Sequence, residues 1–193
     1  MGIRAVYQEP KILIPPKWYT DITYVRVSGG FCYTVLIMDA YSKKILSINH
    51  SKTLDRRFCI EAAEEAIRKY ECPEIIHADK GKQFLSKDFL MAFRDKNGKE
   101  ISKASFGRKG FRNNIYVERF WRTCKYECLY LREISSPKDV KEVSRNWIEY
   151  YNREKLYQAL RYRTPDEVYY GKEVLTNDGG IVMQKQDSIS VCW

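Results

Sequence analysis

The chain has 193 residues, with 34 lysines and arginines against 25 acidic residues and a formal net charge of +9 at pH 7. At about 150 residues per domain, this length favours a single domain, and a hydrophobic content of 44% is enough to build a core. The longest apolar run, residues 33–38, is only strand-length, and the first residues carry no apolar signal segment. We therefore expect neither a membrane-spanning nor a secreted protein. The positive charge favours a polyanionic partner.

The six cysteines form no Cys-x-x-Cys pair, and the chain has only two histidines. Cys124 and Cys128 lie one helical turn apart, but no nearby pair of cysteines or histidines completes a zinc site. We therefore expect reduced thiols in a cytoplasmic protein, several of them on core faces.

The first third of the chain has the pattern of strands. Residues 1–17, with three prolines, predict an extended leader, and the alternation of residues 18–26 predicts a strand. The Ser-Gly-Gly sequence at 28–30 predicts a hairpin turn, and the apolar run at 31–38 predicts a central buried strand. With a third strand at 45–49, the three form an antiparallel meander.

The spacing of apolar residues along the chain then changes from every second to about every fourth residue. Residues 54–70 predict an amphipathic helix with Thr53 as its N-cap. A short strand follows at 74–78, then a short helix opened by Ser86 and a brief strand near Ile101.

The remaining elements are predominantly helical. Residues 104–113 predict a mobile basic loop, and residues 114–131 a long helix. Further helices are predicted over 136–151 and from the capping sequence that begins at Thr164. Residues 171–193 show no clear period and predict a tail without fixed structure, which leaves 18–170 as the core domain.

This order of elements predicts an α/β fold. It matches a ribonuclease H-like mixed sheet, in which an antiparallel three-strand meander and short parallel strands are flanked by helices.

Three acids stand out by their position in these elements. Asp21 lies in the first strand, Asp79 directly follows a short apolar strand, and Glu118 lies near the start of the long helix. Carboxylates that converge at a strand end suit Mg²⁺ or Mn²⁺, and two such ions can promote phosphoryl transfer. The alternative is that they are ordinary surface acids. Asp39 is a rival carboxylate, but its sequence context favours a turn residue.

Several segments, in this order, resemble the integrase core of two-reading-frame bacterial insertion-sequence transposases, which is similar to retroviral integrases. The matching segments are residues 18–24, 37–45, 77–84, 114–127, 147–152 and 164–169. The resemblance covers most of the chain, from about residue 17 to 170. It implies a DNA transposase that cleaves element ends and transfers strands to target DNA, with two Mg²⁺ or Mn²⁺ ions as cofactor.

The resemblance also assigns residues. It implies that Asp21, Asp79 and Glu118 form the catalytic, metal-binding triad, and Gly81 and Gln83 match the turn after the second aspartate. It further implies a homo-oligomer acting on DNA in the bacterial cytoplasm, associated with the nucleoid, and an upstream DNA-recognition domain that is missing from this chain.

The sequence departs from the family pattern in three places. Between Asp79 and Glu118 lie 38 residues, three more than is usual, and Asn113 replaces an aspartate. Lys155 and Tyr157 stand where the family has arginine and histidine. Two alternatives therefore stay open: a non-catalytic DNA-binding remnant, and a nuclease that only nicks.

A basic cluster surrounds the third acid. Between residues 103 and 132 there are eight basic and two acidic residues. Arg122 and Lys125 lie four and seven positions after Glu118, on the same helical face. The predicted DNA-binding residues are Arg108, Lys109, Arg112, Arg122 and Lys125; the alternative is a merely solvated charged face.

Overall fold

The sheet has five strands. The computed structural model describes residues 16–107 and 114–171. The strands are β1 (Lys17–Val27), β2 (Gly30–Asp39), β3 (Ile45–Ser51), β4 (Ile75–Ala78) and β5 (Lys103–Phe106). Their order is β3-β2-β1-β4-β5. The first three are antiparallel, whereas β1, β4 and β5 are parallel. The predicted mixed sheet is therefore confirmed.

β1 and β2, which form a hairpin, are each longer than the other three strands. Gly29 and Gly30 form its turn with φ values of 79° and 150°, which favour glycine. β4 pairs with β1 only as far as Tyr19, and β3 pairs with β2 from Tyr33 onwards. Among the described residues, the outer part of the hairpin, residues 24–32, therefore pairs with no strand outside the hairpin.

Helices cover both faces of the sheet. They are α1 (Arg57–Lys69), α2 (Lys87–Met91), α3 (Ile115–Glu127), α4 (Pro137–Arg153) and α5 (Pro165–Tyr169), with short 3₁₀ turns at Leu129–Leu131 and Gln158–Leu160. One core packs α1 and α2 on one face through Phe58 and Phe89. The other packs α3 and α4 on the opposite face through Val117 and Val140. None of the helices in the described segments is long and apolar enough to cross a membrane.

Three predicted boundaries were wrong. α1 begins at Arg57 rather than at residue 54, so Thr53 is not its N-cap. The Thr53 hydroxyl donates to Asp55, and the Asp55 carboxylate accepts from the Arg57 N–H. The last parallel strand lies at 103–106, after the predicted position near Ile101 and overlapping the start of the predicted loop 104–113, because pairing with β4 decides its position. α3 ends at Glu127, since Cys128 leaves the helical conformation with φ −133° and ψ −65°.

Other expectations fall partly outside the described residues. The predicted leader at 1–17 reaches the structure only at its end, where the Pro16 carbonyl accepts from Glu74 and Ile75 and Lys17 begins β1. The rest of the leader, residues 108–113 and almost all of the tail 171–193 lie outside the described residues.

Asp39 and Asn152 both stabilise the chain around β3. The Asp39 carboxylate accepts from the backbone N–H and the hydroxyl of Ser42, at 2.8 and 2.6 Å, which confirms it as a turn residue. Asn152 of α4 accepts from the Ile45 N–H and donates to the Ile45 carbonyl, both at 3.0 Å. This side chain thus satisfies the backbone at an end of the edge strand β3.

Candidate active site

Asp21 and Asp79 lie side by side at the end of β4. The parallel pairing of Tyr19 with His77 brings the residues two positions further along to the same level of the sheet. Both carboxylates line a cavity of about 200 Å³. It is therefore the pairing of two strands, more than 50 residues apart in sequence, that assembles this part of the site.

The turn after β4 orients the Asp79 carboxylate. The Gly81 N–H donates to Asp79 Oδ1 at 2.9 Å. A Cβ atom on residue 81 would lie 2.9 Å from the same oxygen, closer than real Cβ atoms approach. Gln83 Nε2 donates to the Leu54 carbonyl at 3.1 Å and attaches the turn to the segment before α1. Glycine at position 81 is thus required by the position of the carboxylate.

Glu118 lies close to this pair but outside the cavity. It is exposed in the first turn of α3. At the start of that helix, Asn114 Nδ2 donates to the Thr20 carbonyl at 3.2 Å, next to Asp21 on β1. Among the residues described, no three acids, histidines or cysteines are grouped closely enough to hold a metal ion. The structure therefore brings Asp21 and Asp79 together and leaves Glu118 beside them.

The electrostatics of Asp21 are unusual for an aspartate. Burial raises its pKa from 3.8 to about 7, and repulsion from Asp79 and, less strongly, Glu118 adds to the rise. A hydrogen bond from the backbone N–H of Ile22 opposes it. Negative charge is thus concentrated around a partly buried carboxylate in a protein of net charge +9. Such a perturbed group in a cavity is typical of functional sites.

Trp121 is a site residue that the sequence pattern assigned only to the core stripe. Its side chain is buried, and its indole nitrogen makes no well-formed hydrogen bond within the described residues. The N–H nevertheless lies close enough to Asp21 to lower the pKa of that carboxyl slightly. The sequence could have indicated this contact, because Trp121 lies three residues after Glu118 and therefore on the same side of the helix.

The predicted DNA-binding residues are only partly described. Lys125 is half-buried, with its Nζ atom 5.4 Å from the ring centroid of Tyr24. Burial lowers the Lys125 pKa, while nearby Cys124 and Asp21 oppose the change. Arg122 is exposed. Three predicted residues lie outside the described part of the chain: Arg108, Lys109 and Arg112.

Two family models, both described as integrase core domain, match residues 15–105 and 106–165. Among curated proteins of Escherichia coli K12, a protein named as transposase InsK of insertion sequence element IS150 is 29% identical over 154 residues, 78% of this chain and 53% of its own length. Transposase InsF of insertion sequence IS3A is 28% identical over 141 residues, 71% of this chain and 48% of its own length. The chain spans about half the length of the curated relatives it matches.

Solved structures agree on the fold. The catalytic core domain of HTLV-2 integrase, in complex with magnesium, has a TM-score of 0.59 at 19% identity, over 81% of this chain and 98% of that one. The catalytic core of BIV integrase also has a TM-score of 0.59, at 15% identity, over 79% and 92% of the two chains. The fold is thus the ribonuclease H-like fold of integrase cores, and the chain belongs to the integrase core domain family, with insertion-sequence transposases among its relatives.

Proposed function

We propose that this chain is the catalytic core of a DNA transposase. It cuts DNA strands at the ends of an insertion sequence and joins the 3′-hydroxyl to target DNA by in-line phosphoryl transfer. The observation that carries the proposal is the pairing of Asp21 and Asp79 in one cavity of an integrase core fold. The transposase names of the relatives support it.

The proposed cofactor is a pair of Mg²⁺ or Mn²⁺ ions, held by Asp21, Asp79 and Glu118. The donors fit, because all three are carboxylates and these ions prefer oxygen ligands. The raised pKa of Asp21 fits as well, since a cation would offset the repulsion among the acids. When bound, the ions would activate the attacking oxygen and stabilise the leaving oxygen.

The chain itself would orient these groups and bind the substrate. The Gly81 N–H fixes one oxygen of Asp79, and Asn114 connects the helix of Glu118 to the strand of Asp21. Arg122 and Lys125 would bind phosphates on either side of the scissile bond. The same role is proposed for Arg108, Lys109 and Arg112.

One observation favours a second candidate, a non-catalytic DNA-binding remnant. The three acids are not grouped as metal ligands in the described residues, and three extra residues separate Asp79 from Glu118. In the catalytic alternative, the exposed Glu118 carboxylate would complete the set of oxygen ligands. A measurement of metal binding distinguishes the two candidates, because only the catalytic core should bind divalent ions through these three acids.

The test uses Asp21→Asn, Asp79→Asn and Glu118→Gln. Each variant should weaken Mn²⁺ binding, measured by calorimetry, by at least about tenfold, and should abolish Mg²⁺-dependent cleavage and joining of element-end DNA. The control is Glu142→Gln, an exposed acid on α4, which should retain both. Wild-type metal affinity in all three variants would contradict the proposal, and cleavage without joining would identify a nicking nuclease.

The assembly and location follow from the same proposal. Because the relatives are about twice as long as the matched region, we propose that a separate region recognises element ends and that the active form is a homo-oligomer on DNA. The bacterial relatives favour the cytoplasm, at the nucleoid.

A further inference from the structure

We propose that a second cleft, next to the carboxylate cavity, binds unpaired nucleotides of a DNA strand; this rests on the proposed function. We call it the hairpin cleft. It has a volume of about 490 Å³ and lies between the outer part of the β1–β2 hairpin and the end of α3. The side chains that carry the inference are Tyr24, Arg26, Phe31, Lys125, Tyr130 and Arg132.

The walls of the hairpin cleft are attached to each other. The Ser28 N–H, in the hairpin turn, donates to the Ser135 carbonyl at 3.0 Å. Beneath the cleft, Val25 of the hairpin and Leu129 of the 3₁₀ turn are buried in the same core. Since no strand of the described segments pairs with the outer part of the hairpin, these contacts hold it in place and preform the cleft.

The hairpin cleft carries uncompensated positive charge. Arg26, Lys125 and Arg132 line it, and within the described residues none of them forms an ion pair. No acidic side chain is found among its described lining residues. Three cations that converge on a cleft without an acidic lining residue in the described segments attract a chain of phosphates.

Aromatic rings distinguish a single strand from a duplex. Tyr24 and Phe31 are 60% and 46% exposed, with ring centroids 5.4 Å apart, and Tyr130 is 59% exposed on the opposite wall. Exposed rings beside cations are how proteins bind single strands, because unpaired bases stack on them. The bases of an intact duplex are already stacked on one another, which favours an unpaired strand as the occupant.

The hairpin cleft adjoins the carboxylate cavity. Tyr24 lines both, and Lys125 is close enough to Asp21 for that charge to affect its pKa. A strand whose scissile phosphate lies at Asp21 and Asp79 would therefore enter the cleft with its next few nucleotides. The cleft would bind the frayed end of the strand during cleavage.

The test measures DNA binding by the whole chain in EDTA, so that it does not depend on metal or catalysis. The probes are a fluorescent oligo(dT) of about twelve nucleotides and a blunt duplex of about twenty base pairs. Tyr130→Ala should weaken single-strand binding about tenfold, since one stacking contact is lost, and duplex binding less than about twofold. Tyr130→Phe should keep wild-type affinity. Arg132→Gln should weaken both and reduce the salt slope of binding by about one.

The matched controls are Tyr41→Ala and Arg145→Gln, an exposed ring and an exposed cation that do not line the cleft; both should bind single strands as wild type does. Thermal melting checks that each variant is folded, and Arg26→Gln replaces Tyr130→Ala if the latter unfolds. Unchanged single-strand affinity in the cleft variants, or equal losses for both probes in Tyr130→Ala, would overturn the inference. Cleft-dependent binding in a protein without catalytic activity would instead support the cleft and refute the transposase proposal.

Discussion

Asp21 and Lys44 are both largely buried charged residues, but their surroundings differ. The Lys44 side chain is 5% exposed and forms an ion pair with Asp166 of α5. Three tyrosine rings, Tyr70, Tyr169 and Tyr170, lie 4.6 to 5.8 Å from its ammonium group. Asp21 has acidic neighbours instead, and its pKa rises to about 7.

The difference separates a structural charge from one that we propose to be functional. A buried charge is tolerated when a partner of opposite sign and favourable ring faces replace water. Lys44 has both and connects α5 to the sheet. Asp21 forms no ion pair within the described residues, so its ionised form is destabilised, and the proposed cation would offset this. Uncompensated charge of this kind is expected where a protein binds a ligand.

The largest effect is expected from breaking the compensated pair. Lys44→Met leaves the Asp166 carboxylate near tyrosine rings without its main partner, which should lower the free energy of unfolding by about 3 kcal/mol. Urea denaturation monitored by fluorescence measures it. The double variant Lys44→Met/Asp166→Leu should recover most of the loss, because no unpaired charge remains. Lys69→Ala, which breaks an exposed pair with Glu65, should cost less than about 0.5 kcal/mol.

A smaller effect is expected at the uncompensated charge. Because the pKa of Asp21 is about 7 in the folded protein and 3.8 as its ordinary value, the folded state holds a proton that the unfolded state releases. The stability that the protonated Asp21 carboxyl contributes is fully present below about pH 4, and it is lost as pH rises through 7. Without metal, Asp21→Asn should therefore be about 2 kcal/mol more stable than wild type at pH 8. This difference is smaller than the full rise in the Asp21 pKa implies, because the site is partly solvated.

The pH dependence also tests the metal site. Urea denaturation at pH 4.5 and pH 8 should show a stability decrease in wild type that Asp21→Asn lacks. Added Mn²⁺ should raise the stability of wild type at pH 8 and leave that of the variant unchanged. If the free energy of unfolding depends on pH identically in the two proteins, Asp21 is not the acid with the raised pKa.

The smallest effect on stability is expected at Gly81. In Gly81→Ala the new Cβ would displace the flexible end of Asp79, so the free energy of unfolding should change by less than about 0.5 kcal/mol. Mn²⁺ affinity should nevertheless fall about tenfold, because the carboxylate loses its orientation. Lys82→Ala, in the same turn, should not weaken metal binding. A Gly81→Ala protein with wild-type affinity would show that the Asp79 position is not critical.

Much of the fold was predictable from local patterns. Alternation of period two indicated β1, a continuous apolar run indicated β2, and a period near four indicated α1, because such patterns depend only on which faces of an element are buried. The capping sequences at Ser136 and Thr164 correctly placed the starts of α4 and α5. Each of these patterns involves only residues of one helix or strand, so it can be recognised without knowing how the chain packs.

Other features depended on residues far apart in the chain. β5 has no strong period of its own, and pairing with β4 placed it at 103–106. The sequence could name Asp21, Asp79 and Glu118, but the parallel register of β1 and β4 paired the first two in a cavity and left Glu118 beside it. The partner of Lys44 lies 122 residues away, and the hairpin cleft combines two segments about 100 residues apart. No local pattern carries such information, because burial, pKa and shared cavities arise only when distant segments pack together.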